Sequence, residues 1–88
     1  MLTGEIELKV PIKSMMCWNT NPVTQSTESE KILEGLKRED LFLVSAEHFI
    51  SDTAAYADIL LPASMGAEQE DIILSWGHLY LTYNTKCV

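Results

Sequence analysis

Residues 41–46, LFLVSA, form an almost unbroken apolar run with no polar alternation. A run of that kind suits a strand of a parallel sheet with helices covering each side. Two other segments have the same character. Residues 13–18, KSMMCW, stop at Asn19-Thr20-Asn21-Pro22, and residues 59–61 stop at Pro62. Asn and Pro favour turns, so each run reads as strand followed by loop. Between the first two runs a helix is expected to open at Thr27, which stands three residues before Glu30 in capping-box spacing. Ile32, Leu33 and Leu36 supply its apolar stripe, and Glu28, Lys31, Glu34 and Lys37 its solvent face. Lys37 and Arg38 close its last turn, where positive charge suits the helix dipole. Gly35 costs this helix about 1 kcal/mol relative to Ala. A short second helix over residues 53–57, capped by Ser51 or Asp52, precedes the third strand.

The order strand, helix, strand, helix, strand, joined by right-handed crossovers, predicts an α/β fold. It is half of a doubly wound, Rossmann-like sheet of about three parallel strands with flanking helices. Residues 13–62 would be the core of a single domain of 88 residues. Residues 63–88 would be a C-terminal extension: an acidic loop at Glu68, Gln69, Glu70 and Asp71, an apolar stretch over 72–74, then a final strand over 79–83. At the other end, Ile6, Leu8 and Val10 alternate with charged residues before Pro11, which suits a frayed element or an edge strand.

Open α/β sheets bind ligands outside the carboxyl ends of their strands. Here residues 19–22, residues 47–49 and Pro62 all fall on that edge. With 13 acidic and 6 basic residues the formal charge is −7. Nucleic-acid surfaces need clustered Lys and Arg, so no nucleic-acid partner is expected. A phosphate would be held by backbone N–H groups. Cys17 reads as a small buried residue and Cys87 stands next to the last one. Two isolated cysteines make no zinc or iron–sulfur site, and a reduced pair is expected, with a disulfide the other choice. No apolar run reaches membrane-spanning length, and the first residues lack the charged and apolar regions of a signal peptide. A cytoplasmic location is expected, although an export signal upstream would not be visible.

Several pieces resemble the molybdopterin oxidoreductase superfamily, which includes formate dehydrogenases, nitrate reductases and dimethyl sulfoxide reductases. They are the Asn-Pro turn CWNTNP over 17–22, the pair Ala46-Glu47, and TAAYADILLP over 53–62. The last of these matches T-x-x-x-A-D-x-x-L-P throughout. An E-x-E segment follows six residues past the proline, at Glu68-Gln69-Glu70. The resemblance runs over about residues 12–83 and implies the third, cofactor-binding domain of such enzymes, which holds one guanosine end of a bis-molybdopterin guanine dinucleotide carrying molybdenum or tungsten. It implies that Asn19, Thr20 and Asn21 approach the nucleotide, that Ala46 and Glu47 meet the guanosine with Glu47 accepting from ribose hydroxyls, and that Thr53 and Asp58 order the loop. Gln69 stands where some members place a cofactor-contacting lysine. A carboxylate just past a strand end suits two hydroxyl donors. An Asn turn can enter the left-handed region and turn N–H groups toward a phosphate.

Three features depart from the family pattern: Ala46 where Ser or Gln is common, Asp71 where glycine follows E-x-E, and Ser75-Trp76-Gly77-His78 in place of an Asn-x-x-Arg-Arg stretch. The resemblance also implies a fragment. The iron–sulfur cysteines, the metal-ligating residue and the other domains of the parent enzyme are its implied partners, so the chain alone is not expected to be catalytic and its cofactor site is expected to be empty. The plain alternatives remain. Glu47 can be a solvated strand-end carboxylate, Asn19 and Asn21 ordinary turn residues, Asp58 a local cap, and His48 and His78 surface or packing residues. Met15 and Met16 read as core fillers. The rival function is an acidic, non-catalytic α/β module that binds a partner or forms a homodimer through exposed strand edges. A phospho-receiver domain is excluded, because the first strand carries no acidic pair and no late strand is followed by its lysine.

Overall fold

A computed structural model describes residues 2–74, 77 and 79–88. Three strands, β1 (Ser14–Trp18), β2 (Phe42–Glu47) and β3 (Ile59–Pro62), form one parallel sheet in the order β1-β2-β3. Between β1 and β2 lie α1 (Pro22–Gln25) and α2 (Ser29–Leu36), and between β2 and β3 a single 3-10 turn, Ala54–Tyr56. Two further strands, β4 (Asp71–Leu74) and β5 (Leu81–Asn84), pair antiparallel as a separate ribbon. The α/β class, the parallel sheet and its flanking helices are as the sequence predicts. The final strand is present, displaced to Leu81–Asn84.

The strand order advances in one direction, so right-handed crossovers send both connections to the same face. That face carries the core: Cys17, Val23, Leu36, Leu41 and Leu43 are buried, with Ile12, Met15, Ile32, Leu33 and Ala57 packed against them. The other face carries Met16, Trp18, Phe42, Ile59 and Leu61, all exposed. The two-sided cover expected from the apolar run at 41–46 is therefore one-sided among the described residues. Cys17 sits in the core as a free thiol, pushed up from its ordinary value by burial and secondarily by the charge of Glu47.

Other expectations are corrected. The helix does not open at Thr27. The chain leaves α1 extended at Ser26 (φ −101°, ψ 153°), so Thr27 belongs to the link between two helices, and Glu28 precedes α2 with no side-chain cap. The first helix, α1, was not foreseen. It starts at Pro22, whose fixed φ suits that place, and the Gln25 side chain accepts from the N–H of Asn21 at 3.2 Å. The helix expected over 53–57 is one 3-10 turn, with the Ser51 hydroxyl accepting from Ala54 N–H. β3 ends at Pro62 as expected, with Pro62 itself its last residue, paired with Glu47. Residues 2–10 form turns and bends and no strand, with Ile6 and Val10 exposed. Ser75, Trp76 and His78 lie outside the described residues.

Side-chain contacts hold the N-terminal segment instead of a ladder. Leu2 lies so close to Gly35 that a Cβ there would stand 2.7 Å from Leu2 Cδ2, and Arg38 donates to the Leu2 carbonyl at 2.9 Å. The glycine that weakens α2 is thus the seat of Leu2. Arg38 also grips Asp40 through two nitrogens at 2.8 and 2.9 Å, and Lys13 pairs with the same carboxylate. Together they hold the Asp40 carboxyl well below the usual carboxylate range, Arg38 foremost. Past the carboxyl end of β1, the buried hydroxyl of Thr53 donates to Asn21 Oδ1 at 2.6 Å and accepts from Val23 N–H at 3.1 Å; Thr53 N–H reaches the same Asn21 oxygen at 3.2 Å. Asp58 joins β2 to β3: its carboxylate accepts from Leu43 N–H at 2.7 Å and its own N–H donates to the Leu43 carbonyl.

Three outcomes follow from these contacts. Gly35→Ala alone should displace Leu2 and speed limited proteolysis within residues 2–10, whereas Gly35→Ala on a Leu2→Gly background, where the clashing Cβ is gone, should gain about 1 kcal/mol of helix propensity in urea titrations. Thr53→Val leaves Val23 N–H buried without its acceptor and should cost about 1–3 kcal/mol in the same assay. Asp40 has a depressed folded pKa, so its contribution is present above its unfolded value, about pH 4, and fades as pH falls further. Asp40→Asn should therefore flatten the acid limb of a stability–pH curve below about pH 4 and leave no pH-dependent difference of its own between pH 6 and 8.

Candidate functional site

The carboxyl ends of the three strands meet at one rim. β1 ends at Trp18, and Asn19 takes φ 51°, the left-handed region that Asn enters more easily than most residues. Its N–H donates to the Ala46 carbonyl at 3.2 Å, which ties the turn to β2. β2 brings Ala46 and Glu47, both half-buried. Past β3, Ala63 N–H donates to the Glu47 carbonyl at 3.1 Å, and a ring nitrogen of His48 lies 3.2 Å from the Ala63 carbonyl and must carry the proton there.

A cleft of about 610 Å³ opens at this rim, with Trp18, Asn19, Ala46 and Glu47 on one wall and Ser64, Gln69 and Asp71 on the other. His48, Pro62 and Ala63 complete it. The second wall is built by residues 64–70. Ser64 donates to Gln69 Oε1 at 2.8 Å, Met65 N–H to the Glu68 carboxylate at 2.7 Å, and the Asn84 side chain of β5 to the Gln69 carbonyl at 3.0 Å. Glu47 and Asp71 give the cleft negative charge, and its lining contains no Lys or Arg. Such a cleft suits hydroxyl and amine donors. A phosphate placed between two carboxylates would be repelled unless cations came from elsewhere.

Of the residues singled out in the sequence, Asn19, Ala46, Glu47 and Gln69 line the cleft. Four others stand behind it. The Thr20 hydroxyl donates to Gln25 at 2.9 Å, Asn21 and Thr53 bond each other, and Asp58 bonds β2. Sequence reasoning missed Trp18, Ser64 and Asp71 as cleft residues. Trp18 could have been found as the last residue of its strand, but the ribbon that brings Asp71 to the rim left no sequence signal of its orientation. A smaller cleft, about 320 Å³, lies beside Arg38 under the N-terminal segment, but that guanidinium is already engaged by Asp40 and by the carbonyls of Leu2 and Ile12. Among the described residues no three His, Cys, Asp or Glu side chains converge on a metal position, and no helix is long and apolar enough to cross a membrane.

Comparison with known proteins identifies the family. The family model described as Molybdopterin oxidoreductase matches residues 5–80. The chain is 43% identical over 76 residues to "Probable oxidoreductase YoaE" of Bacillus subtilis, covering 86% of this chain and 11% of that protein. It is 35% identical over 94 residues to dimethyl sulfoxide reductase DmsA of Escherichia coli, covering 97% and 11%. With the assimilatory nitrate reductase catalytic subunit of Bacillus subtilis it shares 39% over 59 residues, covering 67% and 8%. The chain thus spans about a tenth of the length of these curated relatives. Matched over most of its length, the chain belongs to the molybdopterin oxidoreductase family.

Proposed function

We propose that this chain holds one guanosine end of a molybdopterin guanine dinucleotide, as part of a larger molybdenum- or tungsten-dependent oxidoreductase. The observation that carries this reading is Glu47, a half-buried carboxylate at the mouth of a cleft at the carboxyl ends of parallel strands. A carboxylate in that place accepts from two neighbouring hydroxyls, as a ribose presents, or from the paired N–H donors of a guanine edge. The cleft volume lies in the range of small-molecule sites. Its lack of cations argues that it takes the nucleoside end and leaves the pyrophosphate to other parts of the enzyme.

In this reading the residues divide their work. Glu47 accepts hydrogen bonds and sets orientation, and Trp18 offers a flat apolar wall to a base. Asn19 holds the turn open, and Gln69 contributes its amide from the facing loop. Thr53, Asn21 and Asp58 act behind them, fixing where the strand ends lie. The bound cofactor supplies the redox chemistry, and the protein supplies position and electrostatics. The relatives include a dimethyl sulfoxide reductase and a nitrate reductase, so the substrate belongs to parts of the enzyme outside this chain.

Guanosine titration tests the proposal. In a Trp76→Phe background, the emission of Trp18 should change on adding guanosine at up to millimolar concentration, and adenosine should have a weaker effect. Guanosine diphosphate should bind no more tightly than guanosine. Glu47→Gln should weaken binding by about ten- to a hundredfold, the worth of a charge-assisted hydrogen bond. Silence at millimolar guanosine from a folded protein, or equal binding by Glu47→Gln, would count against it.

A further inference from the structure

The cleft at the strand ends holds two carboxylates, and they stand on opposite walls. Glu47 belongs to the sheet side and Asp71, the first residue of β4, to the ribbon side. The groups around Asp71 are arranged with some care. Its Oδ1 accepts from the N–H of Ile72 at 2.7 Å, which orients the carboxylate and leaves Oδ2 without a partner among the described residues. Gln69 stands two positions earlier on the same wall. The Ser64 hydroxyl donates to Gln69 Oε1 at 2.8 Å, so the amide nitrogen is the end left to donate. Among the described residues no acceptor meets that nitrogen. Asn84 of β5 anchors the segment, pairing with Asp71 across the ribbon and donating to the Gln69 carbonyl at 3.0 Å. The ribbon wall thus offers one oriented donor next to one oriented carboxylate.

We infer that Gln69 and Asp71 read the base edge of the nucleoside: the Gln69 amide donates to O6 of guanine, and the Asp71 carboxylate accepts from N1–H and the N2 amine, while Glu47 takes the ribose hydroxyls. The assignment rests on the guanosine reading above and gives the nucleoside a direction in the cleft. Guanosine carries two pairs of neighbouring donors, the ribose diol at one end and N1–H with the N2 amine at the other, and the cleft has one carboxylate for each. The acceptor O6 decides between the two placements. At Glu47 the adjoining cleft residue is Ala46, whose side chain offers O6 no donor; at Asp71 it is Gln69, which does. Adenine meets this wall with its groups reversed, its amine against the Gln69 amide nitrogen and its N1 lone pair against the Asp71 carboxylate. A site built to pair a donor and an acceptor rejects a ligand that leaves them unpaired far more strongly than one that differs only in size. Inosine keeps O6 and N1–H and lacks only the N2 amine, so it isolates the second bond to Asp71.

Titration of the 88-residue chain with guanosine, inosine, adenosine and 2′,3′-dideoxyguanosine, followed by Trp18 emission in a Trp76→Phe background, tests the assignment. The parent should bind guanosine about tenfold or more tightly than inosine or adenosine, the discrimination a paired base contact provides. Asp71→Asn should bring guanosine and inosine to within about twofold of each other, because its amide meets the N2 amine donor to donor, and should keep the parent's preference for guanosine over the dideoxy form. Glu47→Gln should do the opposite, losing the preference for the diol and keeping that for guanosine over inosine. Gln69→Leu should weaken guanosine and inosine alike, by about tenfold, since both carry O6. Gln69 and Asp71 are exposed, so circular dichroism of these variants should match the parent. Were Gln69→Leu to misfold, the isosteric Asp71→Asn would still report. Guanosine binding in which Asp71→Asn leaves the guanosine-to-inosine ratio at its parent value would overturn the assignment and leave the guanosine reading standing. Loss of the diol preference in Asp71→Asn would put the nucleoside the other way round and overturn it as well. No binding of guanosine by the folded chain would overturn both.

Discussion

The buried hydroxyl of Thr53 joins parts of the chain that would otherwise be independent. It bonds Asn21, just past the end of β1, and Val23 in α1, while belonging itself to the connection between β2 and β3. A parallel sheet has no tight hairpin to fix where one strand ends relative to the next. Here a side-chain network does that work, and Asp58 repeats it at the start of β3. The common level of the three strand exits, and so the existence of a rim, depends on these few hydrogen bonds. The Thr53 hydroxyl and the Val23 N–H it accepts from are buried, so losing one partner of that bond costs more than it is worth on the surface.

How much of this was legible in the sequence follows from which forces are local. Apolar runs ended by Asn, Glu and Pro locate β1, β2 and β3 to within a residue or two, because strand burial and turn chemistry are written in consecutive residues. Thr27 failed as a helix start because its spacing to Glu30 is necessary for a capping box but not sufficient. The extended backbone at Ser26, imposed by the short helix before it, took precedence. The role of Gly35 was invisible for a related reason: its partner Leu2 lies 33 positions away in the chain. Within the site, Asn19, Ala46, Glu47 and Gln69 could be named from motif position, and Thr53 and Asp58 as residues that order the loop, yet nothing in the motif separated Asn19 from Thr20 and Asn21. That distinction is between side chains facing the cleft and side chains facing inward, and it needs coordinates.

Among the described residues only one face of the parallel sheet is covered. The single direction of strand order and the handedness of crossovers make this unavoidable, whatever the side chains are. Its curated relatives are about ten times longer. In such proteins additional chain is available to cover an apolar sheet, and the present chain carries the composition of a covered sheet on a face with no cover of its own. Core residues such as Leu43 and surface residues such as Met16 are chemically alike here; topology alone separates them.

The cleft has one wall of each kind of construction. Trp18, Ala46 and Glu47 belong to a three-stranded sheet backed by helices, whereas Gln69 hangs from a loop clasped by Asn84 of a two-stranded ribbon. Pairs of strands standing alone have little independent stability. The aperture of the jaw is therefore governed by its weaker half. A ligand in the proposed site would meet a fixed sheet on one side and a less stable ribbon on the other, so the pairing of Ile72 with Tyr83 and of Leu74 with Leu81 would set how wide the cleft stands.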